Sequence, residues 1–422
     1  MKIGVARTKI TPRAMGIDLW GYGFYLDRKA KGVADDLYAS AVEFNYSGRK
    51  ALTISCDIGN LDRSFIDECS RELLEETGYD QINLCASHTH SAPAGCDMRG
   101  VGALDSEYRE FLKKQIFNAA LYAHQDVEAV DIVTAITKAE INENRAFLDG
   151  ETNNNIYAIL AQTESNKIKS IIYNYAAHPV NAPKIDQGPE SFWVSAGFPG
   201  YANRYLSDKV GCIPMFLQGS CGDVNILDQG VFRKAKEHGH VIAEKILAAP
   251  TSMIDTPDMR LGKIKIELPA IIPTKEFVDD TLQKLPVNNP AFERLLEEWK
   301  KDTIKGIAED AFSDVLQRDV NFLHIGDETC LVFHPFELFS QLDKDIRSRS
   351  PYNVTFLNGY SNDSLGYLVP NMDETSIINP ILKRAINYSR EIIPMVTKSP
   401  HLERDAGKVF VDQVATYLEE SY

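Results

Sequence analysis

The chain has 422 residues, 44% of them hydrophobic, and a formal net charge of −15. That length and apolar content support a large core, in one large domain or two unequal ones, and exclude a disordered chain. The acidic balance argues against nucleic acid and anionic membrane surfaces as main partners. No apolar run approaches the length that spans a bilayer, so no integral membrane segment is expected. Residues 1–7 lack the charged-then-apolar pattern of a secretory signal. The seven cysteines (Cys56, Cys69, Cys85, Cys96, Cys212, Cys221 and Cys330) are scattered and form no Cys-x-x-Cys pair. They read as reduced thiols of a cytoplasmic protein, not as a disulfide frame or a thiolate zinc site.

Strands and turns are expected up to about residue 60, with strands at 39–46 and 51–56 joined by the turn Ser47-Gly48. Apolar residues at helical spacing predict a helix over 62–78, stopped at Thr77-Gly78. The run Ile82-Asn83-Leu84-Cys85-Ala86 is a buried strand that breaks into Ser87-His88-Thr89-His90-Ser91-Ala92-Pro93-Ala94-Gly95. A helix over 106–125 and a strand-like stretch over 129–142 follow, ending at Asn144-Arg145. The strand at 169–177 ends at His178-Pro179, where proline stops further pairing. A short strand at 214–218 enters Gly219-Ser220-Cys221-Gly222-Asp223. Then come a helix over 231–248, a strand over 261–268, and a helical insertion over 274–315 interrupted near Pro286 and Pro290. Strands over 320–335 lead to a helix beginning at Glu337. A strand over 353–360 leads to Tyr367, and the last helix covers about 402–420. No internal repeat or linker is evident. The alternation predicts an α/β, mixed α+β fold: large mixed sheets flanked by helices, organised as a single domain over 1–422.

Several strands end in polar or glycine-rich loops, where chemistry sits on a rigid scaffold. In an extended segment, residues two apart share a face, so His88 and His90 can both look into one cavity. Two buried imidazoles need partners, and a metal ion is one. With His178, Glu337 and Tyr367 they offer ligands from four separate segments. No self-contained zinc spacing such as His-Glu-x-x-His is present. Each residue also has an ordinary reading: a loop imidazole bonded to backbone, a strand-end histidine, a carboxylate at a helix start, a packed phenol, and for Arg145 a surface charge.

The chain resembles the neutral/alkaline ceramidase family in its catalytic domain. The matching pieces run in order. They are residues 4–12, Gly21-Tyr22-Gly23, Asp36-Leu37-Tyr38-Ala39, Ser87-His88-Thr89-His90-Ser91-Ala92-Pro93, Asn144-Arg145, Ala177-His178-Pro179, Gly222-Asp223-Val224, Pro335-Phe336-Glu337, Asn362 and Tyr367. The resemblance implies a catalytic zinc on His88, His178, Glu337 and Tyr367, with His90 and Arg145 lining the reaction centre. Asp57 is a candidate to orient a ligand imidazole, or else a strand-end turn residue. Two departures stand out. Asn225 occupies the position of a serine that the family uses in catalysis, and asparagine has no hydroxyl nucleophile. Leu368-Val369-Pro370-Asn371-Met372-Asp373 replaces a tyrosine-rich stretch that shapes the family's substrate pocket.

The expectation is a Zn2+-dependent hydrolase that cleaves an amide or ester of a small soluble substrate with zinc-activated water. In it His90, Arg145 and Asn225 act at the reaction centre, and Asp223 and Asn225 fix the loop or bind substrate. Two alternatives stand beside it: a non-catalytic metal-binding or scaffold protein with the same fold, and a true hydrolase of N-acylsphingosine, a lipid-like amide. A two-metal phosphoryl site is disfavoured by the scarcity of clustered carboxylates. Oligomeric state is not readable from the sequence.

Overall fold

The structure is a computed structural model. It describes all residues except 24–27, 148–149, 183–187, 256, 286–288, 373–376 and 378, and it leaves out the side chains of residues 381 and 382. Pro286 and Asp373 therefore lie outside the described residues.

Three mixed sheets form the frame. The first runs in the order Gln81–Ala86, Arg49–Cys56, Tyr38–Tyr46, Lys2–Lys9, Glu128–Ala129. The second runs Ile213–Gln218, Ile168–Tyr175, Asn155–Gln162, Asp131–Lys138, Thr251–Met253. The third runs Met259–Pro269, Val315–Ile325, Thr329–Phe333, Val354–Asn358. Each is antiparallel except for one parallel pair at its edge: Arg49–Cys56 with Gln81–Ala86, Ile168–Tyr175 with Ile213–Gln218, and Thr329–Phe333 with Val354–Asn358.

The faces of all three sheets meet in one apolar cluster, which joins Val5, Phe44, Ile132, Ile159, Leu323 and Phe356. The opposite faces are covered by helices. Arg63–Thr77 and Ser106–Gln125 share a core with the first sheet. Gly197–Val210 and Lys234–Ala248 share one with the second, and Ser340–Arg349 and Ala406–Ser421 with the third. Burial on both faces explains why the central strands read as continuous apolar runs.

Local chemistry sets the helix ends. Asp62 caps the first helix by accepting from the Phe65 amide, and Gly78 closes it in a left-handed conformation with φ 64°. The 274–315 region is two helices, Lys275–Lys284 and Pro290–Ala308; Pro290 sits in the first turn of the second, after the Asn289 cap. Their apolar faces share a cluster with Trp20, Met395 and Tyr367.

Two expectations are corrected, and two elements are added to those expected. Glu337 does not begin a helix: it lies in the strand Phe336–Leu338, and the helix is Ser340–Arg349. The stretch 129–142 is not one strand, since Asp131–Lys138 and Asn142–Asn144 belong to different sheets. The helix Gly197–Val210 and the strand Asn155–Gln162 were not anticipated. Among the described residues, no helix is long and apolar enough to cross a membrane.

Candidate metal centre

The chain leaves the carboxyl end of each parallel pair toward the same place. After Gln81–Ala86, Ser87 and His88 turn back onto the neighbouring strand, their amides donating to the Cys56 and Ile58 carbonyls at 2.9 Å. His88 has φ 63°, a left-handed conformation that costs a non-glycine residue on the order of 1–2 kcal/mol. The extended geometry expected for 88–90 is therefore absent. The two imidazoles still converge, with Nε2 atoms 3.3 Å apart, because the turn rather than a strand pleat brings them together.

His178 follows Ile168–Tyr175, and its backbone bridges Asn225 in parallel fashion. Glu337 and Tyr367 are register partners in a parallel two-stranded pair, Phe336–Leu338 with Gly366–Leu368. Widely separated segments thus bring their side chains to one point. Glu337 Oε2 lies 3.6 Å from His88 Nε2 and 3.3 Å from His178 Nε2. All three residues are buried.

Hydrogen bonds decide which atoms carry protons. His88 Nδ1 sits 2.9 Å from the Gly59 carbonyl, and His178 Nδ1 sits 3.0 Å from the Val224 carbonyl. A carbonyl only accepts, so both Nδ1 atoms carry hydrogen and both Nε2 atoms present lone pairs. Burial holds the His88 imidazole down at about 3 against the pull of Glu337; burial also holds His178 well below its ordinary value, helped by Arg145. Both rings are neutral near pH 7. Two lone pairs and a carboxylate oxygen then face one another across 3.3–3.6 Å, a repulsion that a cation among them would relieve. Among the described residues, His178 Nε2 has no hydrogen-bond partner. Ligands held about 2.0–2.2 Å from a tetrahedral zinc are separated by about 3.3–3.5 Å, so the donor set fits that ion.

His90 Nε2 also belongs to a group of three imidazoles whose ligand atoms lie within 4.8 Å of one another. Its protonation differs from that of the other two. The Tyr22 amide donates to His90 Nδ1 at 3.4 Å, which places the His90 hydrogen on Nε2, as a donor toward His88. His90 thus presents an N–H toward His88, and Glu337 Oε2 faces the His88 and His178 lone pairs. Its ring lies against Gly21, where a Cβ would come within 2.7 Å of it. Trp20 meets both rings edge-on, and buried Arg28 bonds the Trp20 and His90 carbonyls.

Arg145 Nη2 donates to the Gly222 carbonyl at 2.8 Å and to Tyr367 Oη at 2.7 Å; Nη1 reaches Asn225 Oδ1 at 3.4 Å. Tyr367 therefore joins the centre through Arg145, its ring centroid 6.4 Å from that of His178. Asn225 Nδ2 donates to Gln229. Asp223 is consumed in fixing the loop: Oδ1 accepts from the Ser340 amide and hydroxyl, Oδ2 from Asn144. Asp57 does not orient His88, whose Nδ1 partner is the Gly59 carbonyl; Asp57 accepts from the Tyr38 amide, and burial raises it to about 7. Sequence reasoning gave no role at the site to Gly59, Tyr22 or Tyr360. The first acts through its carbonyl and the second through its amide, which no residue pattern encodes. The third was read as a strand end.

A cavity of about 740 Å³ shares Asn144 and Asp223 with the rim of this region, and Asn153, Asn155, Asp343 and Arg347 line it further.

No family model matches the sequence, and no curated protein matches it either. Solved structures do. A neutral ceramidase from Pseudomonas aeruginosa superposes with a TM-score of 0.71 at 15% identity, over 99% of this chain and 74% of that one. A ceramidase complexed with C2 gives a TM-score of 0.69 at 14% identity, over 95% of this chain and 76% of that one. The fold of this chain is that of the ceramidases.

Proposed function

We propose that the chain is a zinc-dependent hydrolase that cleaves an amide bond, with residues 1–422 acting as one catalytic unit. The observation that carries this reading is the convergence of His88 Nε2, His178 Nε2 and Glu337 Oε2, three acceptor atoms of which none donates to another. Tyr367 completes the set of ligand candidates. The ceramidase fold supports amide hydrolysis as the chemistry. Seven free, buried cysteines support a reducing, cytoplasmic setting.

When bound, zinc supplies Lewis acidity to a carbonyl oxygen and lowers the pKa of water. The chain's own groups do the rest. His90 presents an N–H donor next to His88, where a developing oxyanion is stabilised by a preorganised hydrogen bond. Arg145 is clamped by Gly222, Tyr367 and Asn225, and it offers a fixed positive charge without reorganisation. Asn225 orients Arg145 and cannot form an acyl intermediate. Water is therefore the nucleophile in this reading.

The neighbouring cavity sets amide and charged side chains beside Phe147, Tyr157, Pro370 and Met372, which supports a small amide with a polar and an apolar part. The ceramidase neighbours support N-acylsphingosine as the alternative, and Asn225 in place of a serine supports a metal-binding protein without turnover. One experiment separates these readings. Metal content and hydrolysis of a panel of small N-acyl compounds, N-acylsphingosine, esters and lactones are measured for the wild type and His178→Ala. The expected result is one zinc per chain and turnover of small amides, both lost in the variant, with activity down at least about 10³-fold. Zinc-loaded wild type with no turnover on the panel selects the binding protein. Hydrolysis that survives in metal-free protein overturns the proposal.

A further inference from the structure

Glu337 has a partner that the metal reading did not use. Tyr360 Oη lies 2.9 Å from Glu337 Oε2, the same oxygen that faces both imidazoles. A carboxylate only accepts, so the phenol donates. The Tyr360 ring also stacks on His88, with centroids 3.9 Å apart and planes inclined by 24°. One side chain therefore touches two of the three converging donors.

The phenol is itself held. Its proton goes to Glu337, so its oxygen accepts from the Cys221 thiol, 3.1 Å away. Gln218 Nε2 reaches that sulfur at 2.8 Å while bonding the Ala177 carbonyl, one residue before His178. Tyr360, Cys221 and Gln218 are 2% exposed or less, so no solvent competes for these bonds. The chain of donors runs in one direction, from the Gln218 amide through the Cys221 thiol and the Tyr360 phenol to the carboxylate. A buried chain of hydrogen bonds of this kind rigidifies what it touches, with only Gln218 Oε1 in it left without a partner among the described residues. The three residues also come from different elements: the end of Ile213–Gln218, the following loop, and the loop after Val354–Asn358.

We propose that Tyr360, held by Cys221 and Gln218, is a positioning residue of the metal centre that fixes Glu337 and His88 in a binding-competent geometry. The inference rests on the metal reading above. Partners of this kind behind metal ligands are worth about 10–100-fold in affinity.

The test is zinc affinity, measured by competition with a chromophoric chelator on chelator-stripped protein, with thermal unfolding of the stripped protein alongside. The proteins compared are the wild type, His88→Ala, Tyr360→Phe and Cys221→Ala. Tyr360→Phe keeps the ring stacked on His88 and removes only the hydroxyl. It is expected to bind zinc about tenfold more weakly, and Cys221→Ala about threefold more weakly. A Tyr360→Phe protein with wild-type affinity and a lowered unfolding midpoint shows a purely structural tyrosine and overturns the inference. If Tyr360→Phe does not fold, Cys221→Ala decides, and unchanged affinity there overturns it. A wild type that binds no zinc, or a His88→Ala protein that binds as the wild type does, removes the metal reading and this inference with it. Failure of the tyrosine variants alone removes only the inference.

Discussion

Gly21 shows how one missing carbon shapes the reaction centre. Its φ is 93°, a conformation that L side chains rarely adopt, and a Cβ there would come within 2.7–2.8 Å of three atoms of His90. Gly21→Ala must displace His90, the proposed donor, without touching His88, His178 or Glu337. The expected outcome is about one zinc per chain, as in the wild type, with kcat lowered roughly 10–100-fold by loss of one preorganised hydrogen bond. Metal analysis beside steady-state kinetics checks it; a variant that loses its zinc places His90 among the ligands instead. At this scale, residue types offered only candidates with ordinary readings beside them, and it was the family resemblance that grouped them. His88, His178 and Glu337 come together, and Arg145 and Asn225 lie at their edge. What could not be read is the protonation pattern. It depends on the Gly59 and Val224 carbonyls and the Tyr22 amide, and backbone groups are the same in every residue.

At the scale of elements, Asp62 joins three pieces. It caps Arg63–Thr77 through the Phe65 amide and takes a two-pronged ion pair from Arg109 of Ser106–Gln125; Arg109 also reaches the Gly95 carbonyl at the end of the histidine loop. Burial alone would raise the Asp62 carboxyl, but bonds from Arg109, Ser64 and the Phe65 amide outweigh it and hold it down at about 2. A depressed carboxylate contributes stability that is complete above its unfolded value near 4 and fades as pH falls from there toward 2. Discounted for partial exposure, that contribution is about 1–2 kcal/mol. Urea unfolding of the wild type and Asp62→Asn from pH 7 to pH 3 should show a gap that narrows with acidification. A gap constant across that range contradicts the assignment.

Capped elements of this sort were legible. Ser106–Gln125 matches its predicted bounds, and Arg63–Thr77 lies one residue inside them at each end. The helix Gly197–Val210 was not, because it opens on Gly197-Phe198-Pro199-Gly200, which reads as a turn. Gly200 is required there by packing, since a Cβ would lie 2.5 Å from that of Ala196. Glu337 misled for a related reason. Among the described residues its three-residue strand pairs only with Gly366–Leu368, a partner about thirty residues on, and no local period marks so short a strand.

At the scale of the molecule, the convergence of three sheets is what sequence alone could not show. Each parallel pair ends in a loop that is ordinary on its own, and the site exists only because the pairs share one central core. A centre assembled this way couples metal binding to the packing of all three sheets. In the stripped protein Tyr360 donates to Glu337 and His90 donates toward His88, but among the described residues no donor meets the His178 lone pair that faces Glu337; an ion that relieves this binds the folded chain and not the unfolded one. At free zinc about 100 times the dissociation constant, linkage adds about 2.7 kcal/mol. Spread over the unfolding entropy of a chain this long, that raises the midpoint by about 3 °C. Calorimetry of stripped protein with and without zinc should show this shift in wild type and none in His178→Ala. The stripped His178→Ala protein should unfold no lower than stripped wild type by more than the cost of the cavity it opens, because the substitution also removes one of the mutually repelling lone pairs. A wild-type midpoint indifferent to zinc would mean that the three donors converge without holding an ion.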